Sequence, residues 1–445
     1  MSERTRTLRT LRTLAKHASR GVCCALALAA VASTSLAAQT TETEEHYSET
    51  PEELVPFRGA GEPYSIFFTD PPQFRGPGRD KPGPSHFEDV AIGVLVPAQG
   101  VDLELGQRMR NGVELALAEA NRTGGYREGI PFVPVYRDES QAWGASANAA
   151  VDLTFRKGVW GLVGALEDNA SHVMSRLLLK IEMPVVNTNG SDPTLTEHMV
   201  PWMLRMRPDD RRSGYRLAQK IFIEDQHQRV VVFRANDRYA RMGIIEFTDA
   251  ARRLRRPIEL EVRFQNHDTS WDAQIERIRN VDPDAIVLWG RAVQAGRVLA
   301  ALRSAGIGKP VYGPDRLLDP LFLAAAGPAA EGLVVTYPYD PQRSDSTWRK
   351  FRDLYEETYG EDPDATAGYA YDGTTYLVKA IREAGLNRAL IRDRLFFRRE
   401  YEGVTGTIRF DATQNNISPV ILCRVENGAF VLEGATTKDS AEGAP

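Results

Sequence analysis

The feature that most constrains the fold is the stretch 90–138, which has the pattern of a strand, a helix and a second strand. An apolar run at 90–97 is followed by a short loop and by a segment in which apolar residues recur every three or four positions. Two glycines end that helical pattern, and a second apolar run follows at Phe132–Asp138. This order predicts a right-handed βαβ unit, with the loop 98–102 at the sheet edge where open α/β folds bind ligands.

Strand and helix patterns continue to alternate through most of the chain. A first series of predicted strands ends at 203–207, and a second series begins with the strand at 230–233. Two short strands, at 406–411 and 420–426, are predicted to close the chain. The pattern therefore predicts an α/β fold in which two doubly wound parallel-sheet lobes are joined by hinge crossovers.

The ends of the chain differ in composition from its centre. Within residues 1–37, six basic residues precede an apolar run at 21–34, and small residues up to Ala37 form a cleavage pattern. This is typical of a secretory signal peptide, and an uncleaved anchor is the alternative. Residues 38–87 are polar and rich in Pro and Gly, which predicts a tether, and 433–445 is predicted to be a disordered tail.

Charge and cysteine content limit the classes of partner and of stabilisation. Removal of residues 1–37 takes six basic and one acidic residue from totals of 55 Lys+Arg and 60 Asp+Glu, which leaves a formal net charge of −10. That balance disfavours nucleic acid as a partner, because phosphate binding draws on clustered positive charge. Cys423 is then the one remaining cysteine, so no intrachain disulfide is expected.

The motifs of several enzyme classes are missing from the sequence. There is no GxxxxGK[ST] phosphate loop, no GxGxxG after the first strand and no GxSxG nucleophile elbow. The histidines are scattered without zinc-type spacing, and Cys423 lies in an apolar strand pattern that is typical of a core residue. We therefore expect no catalysis, no cofactor and no bound metal.

Several segments within 90–432 resemble the type I periplasmic solute-binding proteins of the leucine/isoleucine/valine-binding family. The matching segments, in order, are 92–97, 115–121, 124–125, Gly161-Leu162-Val163-Gly164, 183–186, 192–196, Asn236-Asp237-Arg238-Tyr239, 283–287, 329–336, Tyr371-Asp372-Gly373 and 403–411. The resemblance implies two hinged lobes, at 88–207 plus 339–405 and at 208–338 plus 406–432. A ligand that contacts both lobes would stabilise a closed form, so binding residues are expected from each lobe.

The resemblance assigns one loop to the ligand carboxylate. In amino-acid binders of the family, the loop after the third strand offers a hydroxyl and backbone N–H groups. Here Asp168 occupies the hydroxyl position, and its charge would repel a carboxylate in a partly dry cleft unless Ser171 or Asn169 takes the role. The structural alternative is that Asp168 caps the following helix.

The resemblance assigns three other loops to the rest of the ligand. The loop 187–192, with Asn189 and Ser191, matches the segment whose carbonyl and hydroxyl hold the ligand amine. Asp315 matches an acid that pairs with the ammonium group, and Tyr239 matches a tyrosine that reaches the cleft from the second lobe. The structural alternatives are a turn for Ser191, core packing for Tyr239 and a helix cap for Asp315. The predicted ligand-binding residues are Asp168, Asn169, Ser171, Asn189, Ser191, Tyr239 and Asp315.

Together with Glu167, the acids among these residues predict an acidic, hydrogen-bonding cleft that favours a cationic or polyhydroxy ligand. Other residues on loops expected to face the cleft are Glu104, Leu105 and Arg291. The predicted function is an exported, periplasmic, monomeric protein that captures a small polar organic ligand, such as an amino acid, amine, amide or alcohol, and delivers it to an ABC-type permease. The alternative is a sensor of the same fold that reports to a signalling or enzyme partner.

Overall fold

The computed structural model describes residues 71–139 and 144–433. The predicted signal peptide, the first part of the predicted tether and nearly all of the predicted tail lie outside these ranges. In the part of the chain that is described, no helix is long and apolar enough to span a lipid bilayer.

The described residues form strands and helices in the alternating order that the sequence predicts. The strands are β1 (Val90–Val96), β2 (Phe132–Asp138), β3 (Leu162–Gly164), β4 (Val185–Asn187), β5 (Met203–Arg205), β6 (Val230–Ala235), β7 (Leu260–Phe264), β8 (Ala285–Trp289), β9 (Val311–Gly313), β10 (Val334–Tyr337), β11 (Glu400–Gly403), β12 (Gly406–Arg409), β13 (Ile421–Glu426) and β14 (Ala429–Leu432). The helices are α1 (Leu103–Arg122), α2 (Ala145–Phe155), α3 (Asp168–Ile181), α4 (Thr194–Glu197), α5 (Asp210–Ala218), α6 (Arg238–Arg253), α7 (Asp272–Val281), α8 (Ala292–Ser304), α9 (Pro320–Ala326), α10 (Ser346–Tyr359), α11 (Ala365–Ala384) and α12 (Arg388–Phe396).

Two large sheets share one topology. The first has the order β2-β1-β3-β4-β5, and all of its neighbouring strands are parallel. The second has the order β14-β13-β10-β9-β8-β6-β7, and the run from β7 to β10 is parallel and repeats the order of the first sheet. Strands β13 and β14 extend the second sheet in antiparallel fashion. This is the doubly wound α/β architecture that the pattern predicts.

Helices cover both faces of the first sheet. Leu162 of β3 belongs to an apolar cluster with residues of α2 and α3, whereas its neighbour Val163 belongs to a cluster with residues of α1 and α11. Successive residues of a strand point to opposite faces, so β3 is buried on both sides. We call the first sheet with α1–α4 and α10–α12 the first lobe, and the second sheet with α5–α9 the second lobe.

The chain crosses between the lobes three times, at 206–209, 338–345 and 410–420. Just before the third crossing, β11 and β12 form a separate antiparallel hairpin. Strands β11 and β14 were not predicted from the sequence, and β12 pairs with β11 rather than with the second sheet. β11 contains a single apolar residue and shows no apolar run, whereas Asn427-Gly428 before the apolar run of β14 was a hairpin signal that could have been used.

Part of the predicted tether packs on the first lobe instead. The ring of Phe74 lies 4.6 Å from that of Trp202, edge to face. The side-chain amide of Asn387 donates to three backbone carbonyl groups within 78–81. The segment has no periodicity, and its contacts are made through single side chains, so a pattern analysis of 71–87 could not find them.

Helices α1 and α11 approach closely at Gly112, where a β-carbon would lie 2.3 Å from the carbonyl oxygen of Ala367. Replacement Gly112→Val is expected to lower the free energy of unfolding by about 2 kcal/mol, because one helix must move to admit the side chain. Urea denaturation measures the change. The matched control is Gly308→Val, since a β-carbon there meets no atom within 4 Å, and equal losses at both positions would contradict the prediction.

Candidate functional site

Loops at the carboxyl ends of matching strands meet between the two lobes. In the first sheet they follow β1, β3 and β4, and in the second sheet they follow the equivalent strands β6, β8 and β9. Side chains of these loops that make contacts at the cleft are Asp102, Glu167, Asp168, Asn189, Ser191 and Asp192 in the first lobe, and Asp237, Arg238, Tyr239, Arg291, Asp315 and Arg316 in the second. Doubly wound sheets bind their ligands at this edge.

Asp168 begins α3 and is buried. Its Oδ1 accepts hydrogen bonds from the backbone N–H groups of Ser191, at 3.0 Å, and of Asp192, at 3.2 Å. Its own helix has no side-chain cap bond at the N-cap residue, Glu167. Asp168 therefore fixes the loop after β4 by occupying two of its backbone N–H groups.

Two positions that the resemblance assigns to the ligand amine already have protein partners. Asp315 forms an ion pair with Arg207, and both side chains are buried. The hydroxyl of Ser191 donates to Oδ2 of Asp210, 2.9 Å away. Asp210 is also buried and follows the first crossing directly. Each of these contacts joins a loop of the cleft to another part of the chain.

Arg316 reaches across the cleft from the second lobe. Its Nη2 donates to the carbonyl oxygens of Leu166, at 3.1 Å, and Asn189, at 3.5 Å. Its guanidinium carbon lies 4.0 Å from the centroid of the Tyr239 ring, within the range of a cation–π contact. A guanidinium of the second lobe thus holds backbone carbonyls of the first.

Arg291 makes a second bridge between the lobes. Its Nη2 is 2.9 Å from a carboxylate oxygen of Glu167, and its Nη1 pairs with Asp102. Its Nε lies 3.7 Å from the carboxylate of Asp237, which caps α6. Because five N–H donors in one plane can serve several acids at once, one arginine compensates much of the acidic charge at this end of the cleft.

Arg238 makes a third bridge, with its Nη2 2.5 Å from Oδ2 of Asp192. The same oxygen lies 3.2 Å from Nε2 of His172. These hydrogen bonds, with those of Thr194, hold the pKa of Asp192 well below its usual value in spite of burial. The sequence predicts an acidic cleft. In the structure, arginines that were not predicted to pair with these acids partly neutralise their charge.

Burial dominates the protonation of the central acids. It raises the pKa of Asp168 to about 6, against the opposing effect of Arg316. Burial, with the charges of Asp168 and Asp315, raises the pKa of Asp210 well above its ordinary value. Burial also raises the pKa of Tyr239, and its hydroxyl remains a neutral hydrogen-bond donor at physiological pH.

Five buried side-chain atoms at the centre of the cleft have no hydrogen-bond partner among the described residues. They are the donors Nε of Arg207, Nε of Arg316 and the hydroxyl of Tyr239, and the acceptors Oδ2 of Asp168 and Oδ1 of Asn189. We call these five residues the cleft cluster. An unsatisfied buried polar group costs about 1–3 kcal/mol, so several in one place indicate a site that a ligand can complete.

An open cavity of about 560 Å³ lies beside the cleft cluster. Its walls include Glu139 and Asn169 of the first lobe and Arg291 of the second. Asn169 is exposed in this cavity, whereas Ser171 is fully buried and its hydroxyl accepts a hydrogen bond from Asn187. The cavity opens the cleft toward solvent at the end that Arg291 bridges.

The structure brings together five of the seven predicted ligand-binding residues, namely Asp168, Asn189, Ser191, Tyr239 and Asp315. Asn169 lines the neighbouring cavity, and Ser171 lies behind the loop after β4. Contact of any of the seven residues with a ligand stays a prediction. Of the other loop residues, Arg291 lies in the cleft, Glu104 is exposed and Leu105 packs on the core.

Residues of the site that were not predicted from the sequence include Arg207, Asp210, Arg238 and Arg316. Arg316 follows Asp315 directly, so its place in the loop after β9 was a signal that could have been used. Nothing in the sequence marks Arg207 or Asp210, which come from the first crossing and the start of α5. In residues 71–139 and 144–433, no group of His, Cys, Asp and Glu is arranged to hold a metal ion.

Comparison with known proteins agrees with this architecture. A family model described as Periplasmic binding protein matches residues 89–429. The Leu/Ile/Val-binding protein homolog 2 of Brucella abortus is 23% identical over 356 residues, which cover 78% of this chain and 93% of the relative.

Two solved structures have the same fold. A leucine binding protein from Thermotoga maritima has a TM-score of 0.72 at 24% identity and covers 77% of this chain and 97% of its own. A solute binding protein of an ABC transporter from R. palustris, solved in complex with benzoate, has a TM-score of 0.71 at 18% identity, with 78% and 96% covered. At these identities the likeness shows the fold.

The two-lobed α/β fold predicted from the sequence is thus confirmed. The matched proteins are solute-binding proteins and not enzymes, and the family model spans the region in which both sheets lie. The chain belongs to the periplasmic binding protein family, in the branch that includes the leucine/isoleucine/valine-binding proteins.

Proposed function

We propose that the protein binds a small polar organic molecule between its lobes and delivers it to an ABC-type importer. The observation that supports this most directly is the cleft cluster, because its unpartnered atoms come from loops at the carboxyl ends of both sheets and from the first crossing. A solute that satisfies atoms on both sides of the cleft stabilises the closed arrangement, and only such differential contact can drive closure.

The proposed pocket consists of the cleft cluster, with Ser191 and Asp315 supporting its walls. Asn169 would line the entrance, since it is exposed in the neighbouring cavity. The relatives bind different solutes: one solved protein is named for leucine, and another holds benzoate. Because the sequence identity to both proteins is low, the class of solute has to be inferred from the side chains of this protein.

The site of action would be the periplasm. The basic and apolar pattern of residues 1–37 supports export, with cleavage near Ala37, and the family is one of periplasmic proteins. The mature protein would act as a monomer, and its partner would be the membrane subunits of an importer. The names of the related solute-binding proteins of ABC transporters support that partner.

A thermal-shift screen of the mature chain tests the proposal. A solute that binds only the native state, at 100 times its Kd, stabilises the protein by about 2.7 kcal/mol and should raise the Tm of a folded part of this size by roughly 3–4 °C. The panel covers amino acids, hydroxy acids, amides, polyamines, aromatic acids and alcohols. We expect at least one class to give such a shift, and a panel without any shift would contradict the proposal.

Hydrogen exchange supplies the control for the place of binding. A solute held in the cleft should slow exchange both in 165–171 of the first lobe and in 313–318 of the second, because these loops meet there. A solute that raises the Tm but protects neither segment binds elsewhere, and it would count against the cleft as the site.

A further inference from the structure

The unpartnered atoms of the cleft cluster are divided by chemistry between the two sides of the cleft. The donors are the Nε groups of Arg207 and Arg316 and the hydroxyl of Tyr239, on the side of the first crossing and the second lobe. The acceptors are Oδ2 of Asp168 and Oδ1 of Asn189, both in the first lobe. A ligand that completes the site therefore needs acceptors at one end and a donor at the other.

The donor side is suited to a carboxylate. Arg207 and Arg316 keep their charges, since arginine is not deprotonated in proteins, and Tyr239 lies directly under the guanidinium of Arg316. Hydrogen bonds from such donors to a carboxylate are charge-assisted and among the strongest in proteins. One Nη of each arginine already has a partner: Nη2 of Arg207 on Asp315, and Nη2 of Arg316 on two carbonyls.

The acceptor side is suited to a hydroxyl or an ammonium group. Oδ1 of Asp168 is occupied by the N–H groups of Ser191 and Asp192, and Oδ2 is left for another donor. The amide of Asn189 donates to Thr188 and to a backbone carbonyl, which leaves its Oδ1 as an acceptor. These two oxygens can take one group with two or more hydrogens, or a hydroxyl and a water.

A purely cationic solute fits the site less well. Asp315 is paired with Arg207, and Asp210 faces the same donors while accepting the hydroxyl of Ser191. A cation bound at Asp168 would lie near the guanidinium of Arg316 and would leave the three donors unpartnered. Buried groups left without partners reduce affinity strongly, so a solute without an anionic end should be rejected.

From this division, which rests on the proposed function, we propose that the solute is a small carboxylate with a hydroxyl or amino group on the adjacent carbon, bound with its carboxylate toward Arg207, Tyr239 and Arg316. The hydroxyl or amino group contacts Asp168 and Asn189. This polarity is opposite to the one that the resemblance implies, in which the first-lobe loop holds the carboxylate. The reversal follows because Glu139 already accepts the N–H of Leu166 in that loop, and Arg316 already occupies the carbonyl of Asn189 in the loop assigned to the amine.

Matched solutes and one conservative variant test the polarity. The probes are lactate, alanine, propionate and lactamide, and the corresponding set on the leucine skeleton, with Kd measured by calorimetry on the mature chain. The tightest-binding carboxylate should bind at least tenfold more tightly than its carboxamide. Comparison of lactate with alanine shows whether Asp168 and Asn189 bind a hydroxyl or an amino group. Propionate has neither group, so its Kd measures the affinity that is lost when both are absent.

The variant is Tyr239→Phe, which removes one donor and keeps the ring under Arg316. It should weaken the carboxylate about 10- to 100-fold, the size expected for a hydrogen bond to a charged group, and leave the weak carboxamide within twofold. Tyr312→Phe is the control, because the hydroxyl of Tyr312 contacts His227 and Asp225 rather than the cleft. An unchanged Tm without solute shows that Tyr239→Phe folds normally.

The outcomes separate this inference from the proposed function. If a carboxamide or an amine without a carboxylate binds as tightly as the carboxylate, or Tyr239→Phe leaves carboxylate affinity unchanged, the polarity is wrong while the protein is still a solute-binding protein. If no solute in the panel binds, both the polarity and the proposed function fail.

Discussion

Replacing Arg205 by methionine is expected to lower the free energy of unfolding by about 3–5 kcal/mol, the usual cost of breaking a buried ionic network. Arg205 is fully buried at the end of β5. Its Nη1 donates to the carbonyl of Asp192 at 2.5 Å, its Nε and Nη2 lie 3.0 Å and 2.9 Å from Oδ1 of Asn415, and Nη2 is 3.3 Å from Asp209. Methionine fills much of the volume but supplies none of these bonds.

Urea denaturation of the mature chain measures this loss, and Arg216→Met is the matched control. Arg216 forms an ion pair with Glu224 at 2.6 Å, but both side chains are partly exposed. Exposed pairs contribute about 1 kcal/mol or less, so the control should be nearly neutral. Losses of similar size in the two variants would show that Arg205 is not the centre of a buried network.

The Arg205 network also connects the hinge to the ligand site. Asp209 lies on the first crossing, Asn415 lies on the third, and Asp192 belongs to the loop whose N–H groups bind Asp168. Because one side chain contacts two crossings and a cleft loop, a change in the angle between the lobes must be accommodated around it. The network therefore links the crossings of the hinge directly to the loops that would hold a solute.

The sequence was sufficient to predict the architecture where elements are long and periodic. The strand–helix–strand unit from β1 to β2 shows its helix period over α1, and alternation of elements through the chain predicts two doubly wound sheets. It was not sufficient for β11, which contains a single apolar residue, or for residues 74–81, which are held by the ring of Trp202 and the amide of Asn387. Such contacts depend on tertiary structure and leave no period in the sequence.

The candidate site was predictable in position and less so in charge. Topology predicts that loops after equivalent strands meet, and the resemblance names Asp168, Ser191 and Asp315 among their residues. The sequence could not show that Arg207, before the second lobe begins, pairs with an acid more than a hundred positions away. Nor could it show that Arg316 crosses to the first lobe, because a local pattern carries no information about long-range pairing.

Asp168→Asn is expected to gain about 3 kcal/mol of stability relative to the natural protein as pH rises from 4 to 7. Burial raises the pKa of Asp168 to about 6, whereas the unfolded chain has the ordinary value of 3.8. Between these values the folded state binds more protons than the unfolded state, so the stability of the natural protein falls as pH rises. A shift of about two units corresponds to about 3 kcal/mol, and asparagine lacks the titration.

The comparison is made by urea denaturation at pH 4, 5, 6 and 7 without solute, and the asparagine Oδ1 can still accept from Ser191 and Asp192. Asp284→Asn supplies a control of opposite sign. Hydrogen bonds from the backbone N–H groups of Arg229 and Gln228 lower the pKa of Asp284, so its charge stabilises the fold above the ordinary pKa and that contribution is lost on acidification. Because this change falls mainly below the ordinary pKa of 3.8, Asp284→Asn should lose only a little stability relative to the natural protein between pH 4 and 7, and it should not gain any. Parallel curves for Asp168→Asn and the natural protein would show that the carboxyl is not held in a dry cleft, and the free acceptor assigned to it for the solute would then be wrong as well.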